Sequence, residues 1–264
     1  MKIAVAGKGG VGKSTIAGML ARQFAADGHK TFAVDADPDA SLARCIGFSE
    51  EQIQNIVPLS EMNDLIKERT GFKDFGVFGS FFKSSPKVSD IPEKFSILHQ
   101  GVRFLQVGAI KEGGSGCYCA ENVLIRELMR HLIVETDDVV IMDMEAGIEH
   151  LSRGTGDAVD LLLVVVEPGR LSMETAGRIH ALAEDIGIPN LAAIGNKVRN
   201  EKAKEAIRAG LPDFDILGFL SHDEALLEAD LNGICAFDVD SPFKRELEVI
   251  RRKLIERYAH AHRP

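Results

Sequence analysis

Short runs of β-branched and aliphatic residues recur at 2–6, 31–35, 102–107, 138–143, 160–166, 191–195 and 214–220. Between them, apolar residues return every three or four positions near 14–27, 60–69, 119–135, 171–186, 201–209, 223–231 and 243–259. The first pattern predicts strands, the second amphipathic helices. Several strand runs, Leu161 to Val166 among them, are apolar at every position. A strand without a polar face must be covered on both sides. The alternation therefore predicts an α/β fold, a mainly parallel central sheet of about seven strands with helices on both faces and right-handed crossovers. No linker or repeat breaks the alternation, so residues 1–264 are expected to form a single domain.

One stretch departs from the rhythm. Residues 70–100 hold six of the fourteen phenylalanines: Phe72, Phe75, Phe78, Phe81, Phe82 and Phe95. Either a loop and helix close over the core here, or an aromatic patch awaits a partner.

Composition narrows the class. Of 264 residues, 45% are hydrophobic and 27% charged, enough apolar sequence for a sizeable core. The net charge of −9 makes nucleic acid and anionic lipid poor default partners. Four cysteines are too few for a disulfide scaffold and suit a reducing compartment. The first strand run begins at Ile3, which leaves no room for a signal peptide. The longest apolar run, Leu161–Val166, falls well short of the ~20 residues that span a bilayer. The expectation is a cytoplasmic protein without a membrane span.

The candidate chemistry starts where the first strand ends. Gly7-Lys8-Gly9-Gly10-Val11-Gly12-Lys13-Ser14 fits G-x-x-x-x-G-K-[ST], the P-loop. Backbone amides of Gly9, Gly10, Val11 and Gly12 can wrap a phosphate chain because glycines carry no Cβ. Lys13 is placed to bridge the β- and γ-phosphates, and the Ser14 hydroxyl to ligate Mg²⁺, with Thr15 in the same helix turn. Gly7, Gly9 and Gly12 also satisfy G-x-G-x-x-G, with Asp35 at the distance of a ribose-binding acid. Lys13-Ser14 decides for a nucleoside triphosphate, since a dinucleotide pyrophosphate needs neither an ammonium nor a magnesium ligand there.

Three carboxylates support this reading. Asp35 and Asp37 close the second strand run and Asp143 the 138–143 run. Strand C-termini are where an α/β sheet presents its ligand. Asp143 reads as the acid that holds magnesium through water. Asn196-Lys197 follows a later strand run, and the position three residues after Asn196 is Arg199 rather than the Asp a guanine reader needs. The Asn196 amide can pair with adenine, so ATP is favoured over GTP.

Lys8, a second lysine inside the loop, resembles the deviant motif of the MinD/ArsA/nitrogenase-iron-protein class of P-loop ATPases. That resemblance implies a homodimer in which Lys8 reaches the partner's nucleotide. It also implies that Asp37, in Val34-Asp35-Ala36-Asp37-Pro38-Asp39, positions the attacking water in switch I, and that Asp143 begins switch II. Within the class, Asp143-Met144-Glu145-Ala146-Gly147-Ile148-Glu149-His150-Leu151 and Gly116-Cys117-Tyr118-Cys119 are similar to the CO dehydrogenase nickel-insertion ATPases. The segment Glu224-Ala225-Leu226-Leu227-Glu228-Ala229-Asp230-Leu231-Asn232-Gly233 is similar as well. Leu220-Ser221-His222-Asp223, just before it, lacks the proline common in the class.

Two thiolates as close as Cys117 and Cys119 can grip a soft metal ion but cannot surround it, because a closed tetrahedral site takes four ligands. A two-fold dimer could supply the other pair. The resemblance implies that arrangement, with Ni²⁺ (or Zn²⁺) shared between subunits and carbon monoxide dehydrogenase as client. Packing as small hydrophobes is the alternative for this pair. Cys45 and Cys235 sit in no motif and are expected to be structural.

Two other functions stay open at this level. A spatial-organising or partition ATPase could use the Leu247, Ile250, Leu254, Tyr258 stripe on a membrane, although that stripe also suits packing on the sheet. An ATP-gated iron–sulfur reductase could hold a cluster on four thiolates across a dimer, but the resemblance to the nitrogenase iron protein implies two cysteines well apart in each subunit, and none occurs between Cys119 and Cys235.

Overall fold

A computed structural model describes residues 1–71, 83–108, 119–135, 138–145, 151 and 159–258, with backbone alone at 119 and 135. The strands are β1 (Lys2–Gly7), β2 (Thr31–Ala36), β3 (Ile97–His99), β4 (Val102–Gln106), β5 (Val139–Met144), β6 (Leu161–Val166), β7 (Leu191–Val198) and β8 (Asp215–Ser221). They form one sheet in the order β3-β4-β2-β5-β1-β6-β7-β8. Every pairing is parallel except β3 with β4.

The α-helices among the described residues are α1 (Lys13–Ala26), α2 (Leu42–Ile46), α3 (Glu50–Gln54), α4 (Asn63–Thr70), α5 (Ile91–Phe95), α6 (Cys119–Arg130), α7 (Arg170–Ile186), α8 (Glu201–Gly210), α9 (Glu224–Leu231) and α10 (Pro242–Tyr258).

The all-apolar strands do what their sequence requires. Side chains alternate between faces, so each strand feeds two cores. Leu162, Val164 and Val166 of β6 join Ala4 and Ala6 of β1 under α4, α6, α7 and α8. Leu161, Leu163 and Val165 join Ile3 and Val5 on the opposite face, under α1, α2 and α10.

The C-terminal stripe packs inward. Leu247, Ile250 and Leu254 of α10 are buried. A Cβ at Gly218 of β8 would meet Ile250 Cγ1 at 2.7 Å, so the helix sits directly on that strand. These side chains are spent on the core and are not presented to a bilayer. No helix among the described residues is long and apolar enough to cross a membrane.

Three differences from the sequence expectation have physical causes. The sheet has eight strands, because β3 adds an antiparallel edge from within the irregular 70–100 stretch. Three residues are too few to show a period. Helices α2, α3 and α5, each of five residues, escape for the same reason. Finally, β7 runs to Val198, so Asn196 and Lys197 lie inside its end rather than after it. The pairing with β8 is irregular between Gly195 and Val198, and Lys197 takes a left-handed φ of 55°. Of the clustered aromatics, Phe95 packs against the core. Phe72, Phe75, Phe78, Phe81 and Phe82 lie outside the described residues.

Candidate active site

The P-loop is shaped by contacts that exclude side chains. Gly7 ends β1 beside β6, where a Cβ would meet the Val165 carbonyl oxygen at 2.5 Å. Gly10 and Gly12 adopt φ of 80° and 95°, left-handed values that glycine takes without strain. Gly12 then caps α1, which begins at Lys13 and turns its free amides toward the loop. That arrangement favours an anion.

The loop is tied down from β7. Asn196 Nδ2 donates to the Val11 carbonyl at 2.7 Å, and its Oδ1 accepts from the Lys197 amide at 2.8 Å. Lys197 Nζ donates to the Gly10 carbonyl at 2.6 Å. The Asn196 amide offered by the sequence to adenine is therefore occupied in holding the P-loop, and the kink in β7 aims both side chains at it.

The registers bring the acids together. Asp143 of β5 pairs across from Asp35 of β2 and from Val5 of β1, two residues before the P-loop. Asp143 is fully buried, and burial pushes it up to about 6, against the pull of the Ser14 hydroxyl and the Lys13 ammonium. Neither of its oxygens accepts a hydrogen bond of normal geometry. Buried carboxylate oxygens left this way are expected to have a cation or ordered water as partner. The Ser14 hydroxyl, whose Oγ accepts from Ser41 Oγ at 2.7 Å, is near enough to pull on Asp143. An oxygen-only donor set of this kind suits Mg²⁺.

Asp35 serves the loop after β2. Its Oδ1 accepts from the Asp37 amide at 3.3 Å and its Oδ2 from the Leu42 amide at 3.0 Å. Burial, then the neighbouring Asp143 charge, push it up to about 8. Asp37 lies 3.2 Å from Lys13 Nζ, with both side chains only 8% exposed. The pair keeps the lysine neutralised when no phosphate is present.

Lys8 stands further out, 38% exposed, with its ammonium 3.7 Å from Glu167 Oε1. Glu167 Oε2 lies 3.7 Å from Lys197 Nζ. Glu167, which follows β6, was not among the residues singled out from the sequence. It closes a strand at the same sheet edge as Asp143, and that position is the signal that could have found it. Ser41 is a second addition, carrying no motif of its own.

Beside the loop opens a cavity of about 390 Å³. Its walls include Thr15 and Asn196, His222 and Asp223 after β8, and Leu226 and Leu227 of α9. An apolar slot leading from a phosphate cradle fits a purine nucleoside. Ser221, His222 and Asp223, from the segment that departs from the class pattern, thus form part of the wall.

The two motif cysteines are placed unequally. Cys117 lies outside the described residues. Cys119 opens α6, and only its backbone is described. Among the described residues no group of three or more His, Cys, Asp or Glu stands together to hold a metal ion. Cys45 and Cys235, expected to be structural, both border the cavity.

A family model for the CobQ/CobB/MinD/ParA nucleotide binding domain matches residues 2–236. Among curated proteins, the chain is 44% identical over 257 residues to the carbon monoxide dehydrogenase accessory protein CooC of Rhodospirillum rubrum, covering 97% of each. It is 46% identical over 259 residues to an ATP-binding protein of Methanocaldococcus jannaschii, covering 97% of this chain and 98% of that one. Among solved structures, the cell division protein MinD of Aquifex aeolicus superposes with a TM-score of 0.68 at 21% identity, covering 97% of this chain and 98% of that one. At that identity the likeness is one of fold.

Proposed function

The chain belongs to the CobQ/CobB/MinD/ParA family of nucleotide-binding P-loop ATPases, and from that footing we propose that it is an ATP-driven metallochaperone supporting nickel insertion into carbon monoxide dehydrogenase. In this reading the protein dimerises on ATP and holds Ni²⁺ (or Zn²⁺) between Cys117 and Cys119 of the two protomers. Hydrolysis loosens the dimer and releases the ion. The observation that carries the reading is the match to CooC along nearly the whole of both chains.

The residues divide the work as follows. The P-loop amides and the α1 N-terminus cradle the phosphates. An arriving triphosphate competes with Asp37 for Lys13, which stands 3.2 Å away. Lys13 moves to the phosphate charge, and the freed Asp37 carboxylate is left to orient a water for in-line attack. Ser14 and Asp143 would hold Mg²⁺, the acid through water, and the ion would supply positive charge against the phosphate oxygens.

Lys8 acts in trans. Its half-exposed ammonium exchanges Glu167 for the partner's phosphates, so the transition-state charge is stabilised only in the dimer. Closing the dimer also brings together four thiolates, a full tetrahedral set.

Equilibrium dialysis tests the metal half of the reading. With ATP, the protein should take up about one nickel or zinc ion per two chains. The Cys117→Ser, Cys119→Ser variant should lose it. Equal uptake by the variant would refute the inter-subunit site.

A further inference from the structure

Cys45 and Cys235 are 190 positions apart, yet the Cys235 thiol donates to the Cys45 carbonyl oxygen at 3.2 Å. Cys45 is on α2 and Cys235 follows α9, so the two reach the cavity from separate elements. The side-by-side placement is built in. Arg22 Nη1 donates to the Ile46 carbonyl at 2.7 Å, next to Cys45. Its Nη2 lies 3.3 Å from Asp238 Oδ1, and its guanidinium sits 4.4 Å from the Phe237 ring centroid, next to Cys235. One buried side chain thus anchors both segments. Neither sulfur has a part in the hydrolytic chemistry described above.

We propose that Cys45 and Cys235 form a modification site, a redox pair that a small-molecule disulfide oxidises to an intramolecular disulfide, closing the nucleotide pocket. The inference rests on the reading of the cavity as the nucleotide's seat. The two sides of the pair differ in their freedom to move. A Cβ at Gly18 of α1 would meet Cys45 Cβ at 2.8 Å, so α2 is pressed against α1 and cannot shift inward. The turn before Cys235 contains Gly233, at φ 67° with open space around it, and can pivot there. Drawing Cys235 toward Cys45 carries Ile234 and Ala236, which line the cavity, across its mouth.

The step balances as thiol–disulfide exchange. The Cys235 thiolate attacks one sulfur of the oxidant RSSR, giving Cys235–S–SR and RS⁻, which takes up the thiol proton. The Cys45 thiolate then attacks the Cys235 sulfur and expels the second RS⁻, which is protonated in turn. Two protein thiols are oxidised, and one RSSR is reduced to two RSH. Burial raises both thiols, Cys45 to about 12, so thiolate is scarce and exchange is slow. At Cys235 the Phe237 amide, the Arg22 guanidinium and the Asp238 amide offset part of that rise against the Asp238 carboxylate, and Cys235, on the turn that can pivot at Gly233, is the first to attack.

The test uses the full chain carrying Cys117→Ser and Cys119→Ser, so that no other thiols compete. Reduced protein is titrated with fluorescent mant-ADP, treated with oxidised glutathione, mapped by non-reducing peptide mass spectrometry and titrated again. The expected result is a peptide joining Cys45 to Cys235, lighter by two hydrogens, with mant-ADP binding weakened roughly tenfold or more and restored by dithiothreitol. Bound ADP should slow the cross-link, and adding Cys235→Ser should abolish the response. Separate glutathione adducts without a cross-link would overturn the proposal, as would a cross-link that leaves mant-ADP affinity unchanged. Reduced protein that binds no mant-ADP would refute the pocket assignment and the closing effect with it, while the mass spectrum still decides whether the pair forms.

Discussion

Replacing Asn196 by alanine removes the side chain that joins β7 to the P-loop. The wild-type amide makes two contacts, Nδ2 to the Val11 carbonyl at 2.7 Å and Oδ1 from the Lys197 amide at 2.8 Å. Asn196 is 4% exposed, so water cannot simply replace it. A buried carbonyl left without its donor costs ~1–3 kcal/mol, and the second, partly buried bond adds ~1 kcal/mol. The sum is about 2–4 kcal/mol of folding stability. The chain has no tryptophan and two tyrosines, so urea unfolding is best followed by far-ultraviolet circular dichroism. The midpoint should fall by an amount corresponding to that range at an unchanged slope. ATP and GTP affinities should weaken together, because the loop that cradles both has lost its tie. A variant as stable as the wild type that has lost its preference for ATP would refute the reasoning and return Asn196 to the role of base reader.

Other consequences follow from the same geometry. In Gly12→Ala the new Cβ would lie 2.5 Å from Asn196 Nδ2 at a left-handed φ, so it should abolish nucleotide binding, and an unaffected mant-ADP titration would contradict this. The loss of stability should be of order 2–4 kcal/mol, combining the backbone penalty with the displaced amide. Lys8→Ala should still bind ATP but lose ATP-driven dimerisation and most turnover, and wild-type phosphate release by this variant would exclude the role in trans. Ile250→Ala opens a cavity between α10 and β8, where Ile250 is 2% exposed. A cost of ~2–5 kcal/mol is expected by chemical denaturation with the binding of nucleotide retained.

The sheet was legible because its central strands carry no polar face. Leu161–Val166 could only be a strand covered on both sides, and the two cores on either side of it follow directly. The P-loop and the strand-end acids were legible for a different reason: their spacing is local, and register then aligns Asp35 with Asp143. Contacts made between distant segments are not written in local spacing, even where a strand-end position such as that of Glu167 marks one partner. Glu167 meets Lys8 only after β1 and β6 pair, and Cys45 meets Cys235 only once α2 and the turn after α9 share Arg22. The sequence offers Asn196 to adenine, whereas its side chain holds the P-loop, and that placement depends on a bulge in β7 that alternation of residue types does not encode.

In the proposed function, ATP builds a dimer and the dimer builds the metal site. Size-exclusion chromatography with light scattering, run with ATP, with ADP and without nucleotide, with nickel and zinc measured on each peak, tests both halves together. A dimer peak with ATP that carries the metal is expected, with metal-free monomer in the other two runs. Metal that stays with the monomer whatever the nucleotide, or a chain that remains monomeric with ATP, would contradict it.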